Sequence, residues 1–336
     1  MKVLVIKFSS IGDIILSTSP LNSLRQKYPN SHIHFLTLET YAPLLEGHPD
    51  INRLFVLNKS AGYREIKRIG KYFSTQNYDL VIDLHNTLRA KVIRRQFSET
   101  QVRVLKKPRW KRFKLFYFHR NDFDQQFSQI RLLHEPIKYL LDQHTEFPLP
   151  TLYVSKAEKE QLGEFLTTEG IKQRYVVLIP GAAWPQKQWI AENYSKLIKK
   201  LVKSNIDVVI LGGGQDRVCE ELSNSNPEVL DLHGKTDLRE SLAIVAQAGC
   251  VIGSDTGLLY GAEALNIPVV MMAGPTSRET GAGSLLKESV TLENNDLWCR
   301  PCSQNGSRKC YRKEQYCMTG ITVESVWDEI KRRMGL

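Results

Sequence analysis

No apolar run in these 336 residues reaches the ~18 needed to cross a bilayer as a helix. The N-terminal "MKVLVIKFSS" has a short β-like run and no small-residue cleavage site. It reads as a buried strand rather than a signal peptide, which predicts a cytoplasmic protein. There is no low-complexity tract and no short-period repeat, which excludes a disordered arm and a solenoid. Neither half carries G-x-G-x-x-G directly after its first strand, which argues against a nicotinamide-dinucleotide enzyme. Acid is missing altogether from "RVLKKPRWKRFKLFYFHR" (103–120), where eight Lys/Arg and His119 fall within 18 residues.

That block dominates an uneven charge distribution. The net charge is +10, but residues 1–160 carry +11 and residues 161–336 carry −1. A basic block suggests an anionic partner: nucleic acid, a phosphorylated substrate or a membrane surface. A merely solvated face is the simpler alternative, and interleaved aromatic residues speak against it.

The first half alternates Val/Ile/Leu-rich runs with helical stretches. The runs are "KVLVIKF", "SHIHFLTLE", "RLFVLN", "YDLVIDLH" and "QVRVL". Nearly continuous apolar runs of this length suit a parallel sheet covered on both faces. Pro20 falls inside the first helical stretch, so the helix is expected to bend or restart there. "HTEFPLPTLYVS" (144–155) reads as a connector. The pattern then begins again with "YVVLIPG", "IDVVILGGG", "GCVIGSD" and "IPVVMMAGP". We expect an α/β protein of two doubly wound, Rossmann-like domains facing across a cleft. The boundaries are 1–150, 151–320, and a C-terminal helix over 321–336. In such folds ligands bind beyond the carboxyl ends of the strands.

Four strand-end segments carry chemistry. "FSSIGDIILSTSP" puts Asp13 after strand one, where it can cap a helix, or accept a proton from a substrate hydroxyl as an ionised carboxylate. "IPGAAWPQKQW" (179–189) offers Gly181, Ala182 and Ala183 for close backbone approach, and Lys187 as a point charge for a diphosphate. "GSDTGLLYGAEAL" (253–265) opens a helix with Asp255, Thr256, Gly257 and Leu258, a setting that suits phosphate. There the Asp255 charge opposes phosphate, so that side chain caps the helix or orients a lysine. "LGGGQDR" (211–217), with Gln215, is a further glycine-rich strand end where a nucleoside could lie. Separately, Cys299, Cys302, Cys310 and Cys317 fall within 19 residues. In a reducing compartment that spacing suggests a structural zinc or iron site, with free thiols as the alternative. "DFD" (122–124) reads as surface.

The blocks "SSIGDIILSTSPL", "DLHNTLRA", "PGAAWPQKQW", "SDTGLL" and the "CRPC" tail, in this order, resemble glycosyltransferase family 9, the ADP-heptose–lipopolysaccharide heptosyltransferases. The resemblance spans nearly the whole chain. It implies a GT-B fold and an inverting sugar transfer that needs no catalytic metal. It also implies an acceptor bound by the first domain and a nucleotide-sugar, ADP-heptose, bound by the second. By this resemblance Asp13 matches the catalytic base and Lys187 the lysine that meets the donor phosphates. Residues 255–258 match the donor loop, and the C-terminal helix crosses back to the first domain. Ala182, Ala183 and Tyr260 depart from the family's usual hydroxyl and histidine residues on the donor side. The acceptor is then an anionic lipid-linked saccharide, and the basic block holds the enzyme on the inner face of the cytoplasmic membrane. Nucleic acid is not expected as a partner. The alternatives are a GT-B nucleotide-sugar epimerase and a basic nucleic-acid-binding protein.

Overall fold

A computed structural model of the chain describes residues 1–142, 146–172 and 174–336. The chain forms two compact units. The first comprises Met1–Lys107 and Gln129–Tyr153; the second comprises Pro108–Ser128 and Val154–Leu336. The first two residues of the expected connector, His144 and Thr145, lie outside the described residues.

The first unit is built on five strands: β1 (Lys2–Ile6), β2 (His32–Leu38), β3 (Arg53–Leu57), β4 (Leu80–Asp83) and β5 (Val102–Val104). They lie in the order β3-β2-β1-β4-β5, all parallel. Val3, Leu4, Val5 and Ile6 of β1 are completely buried, as a central strand covered on both faces requires. The helix after β1 does restart, but at Ser17 rather than at Pro20: helices span Ile11–Leu16 and Thr18–Lys27. The early restart puts Pro20 in the first turn of the second helix, where its missing N–H costs no hydrogen bond.

The second unit has six strands: β6 (Tyr175–Ile179), β7 (Asp207–Ile210), β8 (Leu230–Asp231), β9 (Cys250–Ser254), β10 (Val269–Met272) and β11 (Val290–Leu292). Their order is β11-β10-β9-β6-β7-β8, again all parallel. The two shortest, β8 and β11, carry too few apolar residues to announce themselves in the sequence. The doubly wound α/β class is as expected.

The C-terminal helix packs against the second sheet. It spans Val323–Met334 and buries Val326, Ile330 and Met334, a single i, i+4, i+8 stripe. That stripe joins the core formed by Val176, Ile252 and Val270 of the second sheet, so the helix completes the core of its own unit. Met334 sits so close to Gly249 that a Cβ there would lie 2.6 Å from the sulfur. The basic helix Arg109–Phe118, which falls within 1–150, is also grouped with the second unit. Only Leu115 is buried along it. It is tethered by polar contacts: Arg112 Nε donates to the Glu279 carbonyl at 3.1 Å, and the Asn121 amide to the Glu279 carboxylate at 3.0 Å.

Candidate active site

Both sheets have a point where neighbouring strands lead their chains in opposite directions. In the first it lies between β1 and β4, in the second between β6 and β9. Loops leaving such a pair diverge and open a crevice at the carboxyl ends. Most of the residues singled out in the sequence sit on these four loops.

In the first unit, Asp13 is the third residue of helix Ile11–Leu16; Ser10 is the capping residue. Asp13 therefore does not cap the helix. Its carboxylate lies 3.5 Å from the Lys7 ammonium and keeps 36 % of its side-chain surface exposed, while the Lys7 side chain keeps 1 %. Lys7 also donates to the Leu84 carbonyl, just past β4, at 3.3 Å. Burial pushes the Lys7 pKa below its ordinary value, against the pull of Asp13, and the nearby Lys107 charge pushes the same way. A carboxylate backed by a buried cation and open on its other side can accept a proton from a bound hydroxyl.

His85, on the loop after β4, completes this corner. Its pKa is pushed down to about 4, by burial first and then by the charges of Lys7 and Lys107. The ring is therefore neutral at pH 7. It packs edge-on against Phe8 at 5.6 Å, and its Nδ1 is buried with no protein partner. The loop is pinned by Asp83, fully buried, which pairs with Arg94 at 2.6 Å and accepts from the backbone of His85 and Asn86. Sequence reasoning missed Lys7 and His85. Lys7 was legible as a lysine closing an otherwise apolar strand.

In the second unit, Lys187 closes a tight turn, Pro185–Lys187, after β6. Its ammonium pairs with Asp255, just past β9, at 2.8 Å, and both side chains are mostly buried. Asp255 also accepts from the Tyr260 hydroxyl at 2.8 Å and from Thr276 Oγ1 at 3.1 Å. It thus orients the lysine; the capping position belongs to Thr256. Burial, and then the Asp255 charge, hold the Tyr260 phenol protonated, well above its usual range. The Thr256 side chain makes no capping bond, and its Oγ1 is buried without a partner. Gly257 and Leu258 follow as the first helical residues of Gly257–Ala264. Their N–H groups, the Thr256 hydroxyl and the helix dipole form a corner that is chemically able to receive an anion.

The other donor-side residues divide. Gly181 faces protein: a Cβ there would overlap the Asp216 carboxylate, which itself accepts from Gly213 N at 2.7 Å. Ala182 is half-buried, while Ala183 and Gln215 are exposed on their loops. The segment after β11 supports Lys187, a role the sequence did not suggest. Gly306 has φ +86°, and a Cβ on it would sit 2.5 Å from Lys187 Cγ. Trp189 Nε1 donates to the Ile321 carbonyl at 2.9 Å, fixing the other end of the same loop.

The four cysteines of this segment are free thiols. The Cys302 thiol is pushed up to about 11, by burial and then by the proximity of Cys317, Cys299 and Cys310. The four are neighbours, but among the described residues no three His, Cys, Asp or Glu side chains are arranged to hold a metal ion. In "DFD", Asp122 is tied to Lys114 and to Arg120, the latter at 2.7 Å. No helix among the described residues is long and apolar enough to cross a membrane.

Residues 66–311 match the family model of glycosyltransferase family 9 (heptosyltransferase). The chain is 28 % identical over 299 residues to lipooligosaccharide heptosyltransferase 2 of Haemophilus influenzae, covering 82 % of this chain and 84 % of the relative. A glycosyl transferase family 9 structure from Veillonella parvula superposes with a TM-score of 0.78 at 19 % identity, covering 99 % of this chain and 97 % of that one. The Escherichia coli ADP-heptose lipopolysaccharide heptosyltransferase II structure gives a TM-score of 0.72 at 22 % identity, covering 99 % and 98 %.

Proposed function

The chain belongs to glycosyltransferase family 9, with the GT-B fold of its structural neighbours, and is a glycosyltransferase; from that premise we propose that it moves heptose from ADP-heptose onto a lipopolysaccharide core or related glycan, inverting the anomeric carbon. The observation that carries this reading is the contrast between the two strand-end sites. One presents an open carboxylate and the other a lysine beside an unsatisfied helix N-terminus.

Asp13 takes the proton of the acceptor hydroxyl. The hydroxyl oxygen bonds to the anomeric carbon as the bond from that carbon to the diphosphate oxygen breaks. ADP departs with the electron pair, and its new charge meets Lys187 and the N–H groups of Gly257 and Leu258. General-base help of this kind contributes about 10²–10⁴-fold, and removing a donor to a developing oxyanion costs about 10²–10³-fold. Asp255 does not repel the diphosphate as a free carboxylate would, because Lys187, Tyr260 and Thr276 already occupy its oxygens. No catalytic metal is assigned a step.

The acceptor is an anionic, lipid-linked saccharide at the cytoplasmic face of the inner membrane. Thermal unfolding against a panel of nucleotide-sugars tests the donor: a ligand at 100 times its dissociation constant adds ~2.7 kcal/mol. ADP-heptose is expected to give the largest rise. A larger rise with a uridine or guanosine sugar would overturn the assignment. We also infer that Cys299, Cys302, Cys310 and Cys317 can close around a structural zinc or iron. Their shared neighbourhood supports this, although a thiolate site needs them drawn closer than they lie. Metal analysis after purification is expected to give about one equivalent per chain; four freely titrating thiols with no metal would end the idea.

A further inference from the structure

Two sequence features take no part in the transfer: the basic block and the aromatic residues around the four cysteines. The structure joins them on one surface of the second unit. On helix Arg109–Phe118, Trp110, Phe113 and Tyr117 fall at i, i+3 and i+7, on a single face. They are 67 %, 40 % and 58 % exposed, and their rings touch in sequence with centroids 5.3 and 4.7 Å apart. From Tyr117 the surface passes to the cysteine-bearing segment, where the Arg308 guanidinium lies 4.6 Å from the Tyr117 ring centre. His119 meets Trp298 edge-on at 5.0 Å, and Arg312 lies against both Trp298 and Tyr316.

The composition of this surface points to its partner. Among the described residues, every exposed large apolar side chain in 108–128 and 298–317 is aromatic; none is Leu, Ile or Val. A second protein chain would also accept aromatic residues and Arg, but it gives no reason for unpaired lysines spread around the rings. Trp and Tyr interleaved with Arg and Lys instead match the interfacial zone of a bilayer, with rings at headgroup level and cations at the phosphates. The charge is complementary: Arg109, Lys111, Lys309 and Lys313 are exposed and outnumber the exposed acids of these segments, Asp124 and Glu314, while the carboxylates of Asp122 and Glu279 are already engaged. Soluble proteins seldom leave such a patch bare without a use for it.

We propose that this aromatic–basic surface is the site through which the enzyme inserts into the headgroup layer of an anionic bilayer. The inference rests on the reading that the acceptor is lipid-linked, and it adds that contact requires the rings, not charge alone. The full chain is mixed with phosphatidylcholine vesicles with or without phosphatidylglycerol. Sedimentation and tryptophan emission are then compared for the parent and for Trp110→Ser/Phe113→Ser/Tyr117→Ser. The parent is expected to bind only the anionic vesicles, with a blue-shifted emission that brominated lipid quenches. The triple variant is expected to bind at least ~10-fold more weakly. Its stabilisation by ADP-heptose and its turnover on a delipidated acceptor are expected to be unchanged. Should the triple variant fold poorly by circular dichroism, Trp298→Ser combined with Tyr316→Ser gives the same reading from other exposed rings with the charge unchanged.

Vesicle binding that equals the parent's in these variants would overturn the proposal. So would parent binding that salt abolishes with no shift in emission, and so would tight capture of single-stranded RNA in place of vesicles. Loss of turnover on the delipidated acceptor by the parent itself would instead count against the transferase reading.

Discussion

Each unit places one lysine–aspartate pair at the same topological position, and the two pairs are built inside out from one another. In the first, the lysine is buried and the carboxylate is partly exposed, at 3.5 Å and with spare lone pairs. In the second, the distance is 2.8 Å and the carboxylate is the anchored partner, with a phenol and a threonine hydroxyl also bound to it. On the proposed reading, the same two residue types give a base in one unit and an anion receptor in the other. What decides the role is which member has its hydrogen-bonding capacity already spent.

The most severe test of this contrast is Asp13→Asn. An amide cannot take the acceptor's proton, so kcat is expected to fall by at least ~10²-fold. The fold should persist, because Asn still offers Lys7 an oxygen, and Lys7 keeps the Leu84 carbonyl. Since Ser10 and not Asp13 holds the capping position, a capping defect cannot mimic the result. Near-normal kcat with both substrates saturating would remove Asp13 as the base.

Lys187→Ala comes next. It deletes the positive charge meant for the diphosphate and leaves the buried Asp255 carboxylate without its cation. Turnover is expected to drop about 10²–10³-fold, with weaker binding of ADP in calorimetry. ADP binding unchanged from the parent would show that Asp255 and Lys187 form a structural pair only.

A third test separates the units by pH. His34, His85 and His134 in the first unit have pKa values pushed down to about 4, in each case by burial above all, and His48 is also lowered. In the unfolded chain each takes a proton near pH 6.5. As pH falls below that value the unfolded state binds protons that the folded state refuses, so stability is lost progressively until about pH 4. All four of these histidines lie in the first unit. Hydrogen exchange between pH 6.5 and 4 is expected to show the first sheet losing protection before the second. Simultaneous loss, or earlier loss in the second sheet, would contradict it.

The layout was largely readable from sequence because parallel sheets demand nearly continuous apolar runs, and the nine runs quoted from the sequence fall on β1 to β7, β9 and β10. What stayed hidden was which side chains would meet once the chain had folded. Nothing in "KVLVIKF" says that Lys7 will meet Asp13 while its stem is buried, since a terminal lysine of a strand more often reaches water. The C-terminal helix shows one apolar stripe in either location, so periodicity could not say which sheet it would cover. The basic helix was placed by its position in the chain, whereas its tethers run to Glu279. Asp255 stood between capping and orienting until Tyr260 and Thr276 were seen to share its oxygens.

The mildest expected effect belongs to Gly306→Ala, and it asks how tightly the second pair must be held. Gly306 lies in the left-handed region at φ +86°, where a side chain is strained, and its missing Cβ makes room for the Lys187 stem. Alanine there costs about 1–3 kcal/mol of local strain and pushes against Lys187 Cγ. The lysine has a flexible four-carbon stem, and Asp255 still attracts its ammonium, so the charge is displaced rather than removed. The consequence should fall on the donor alone: KM for the nucleotide-sugar rises several-fold, well short of the loss expected for Lys187→Ala, while KM for the acceptor stays where it was. Steady-state kinetics with each substrate varied in turn measures both. An equal rise in the two constants would mean that the substitution disturbs the protein generally. No change in either would mean that the cysteine-bearing segment merely lies beside the lysine without positioning it.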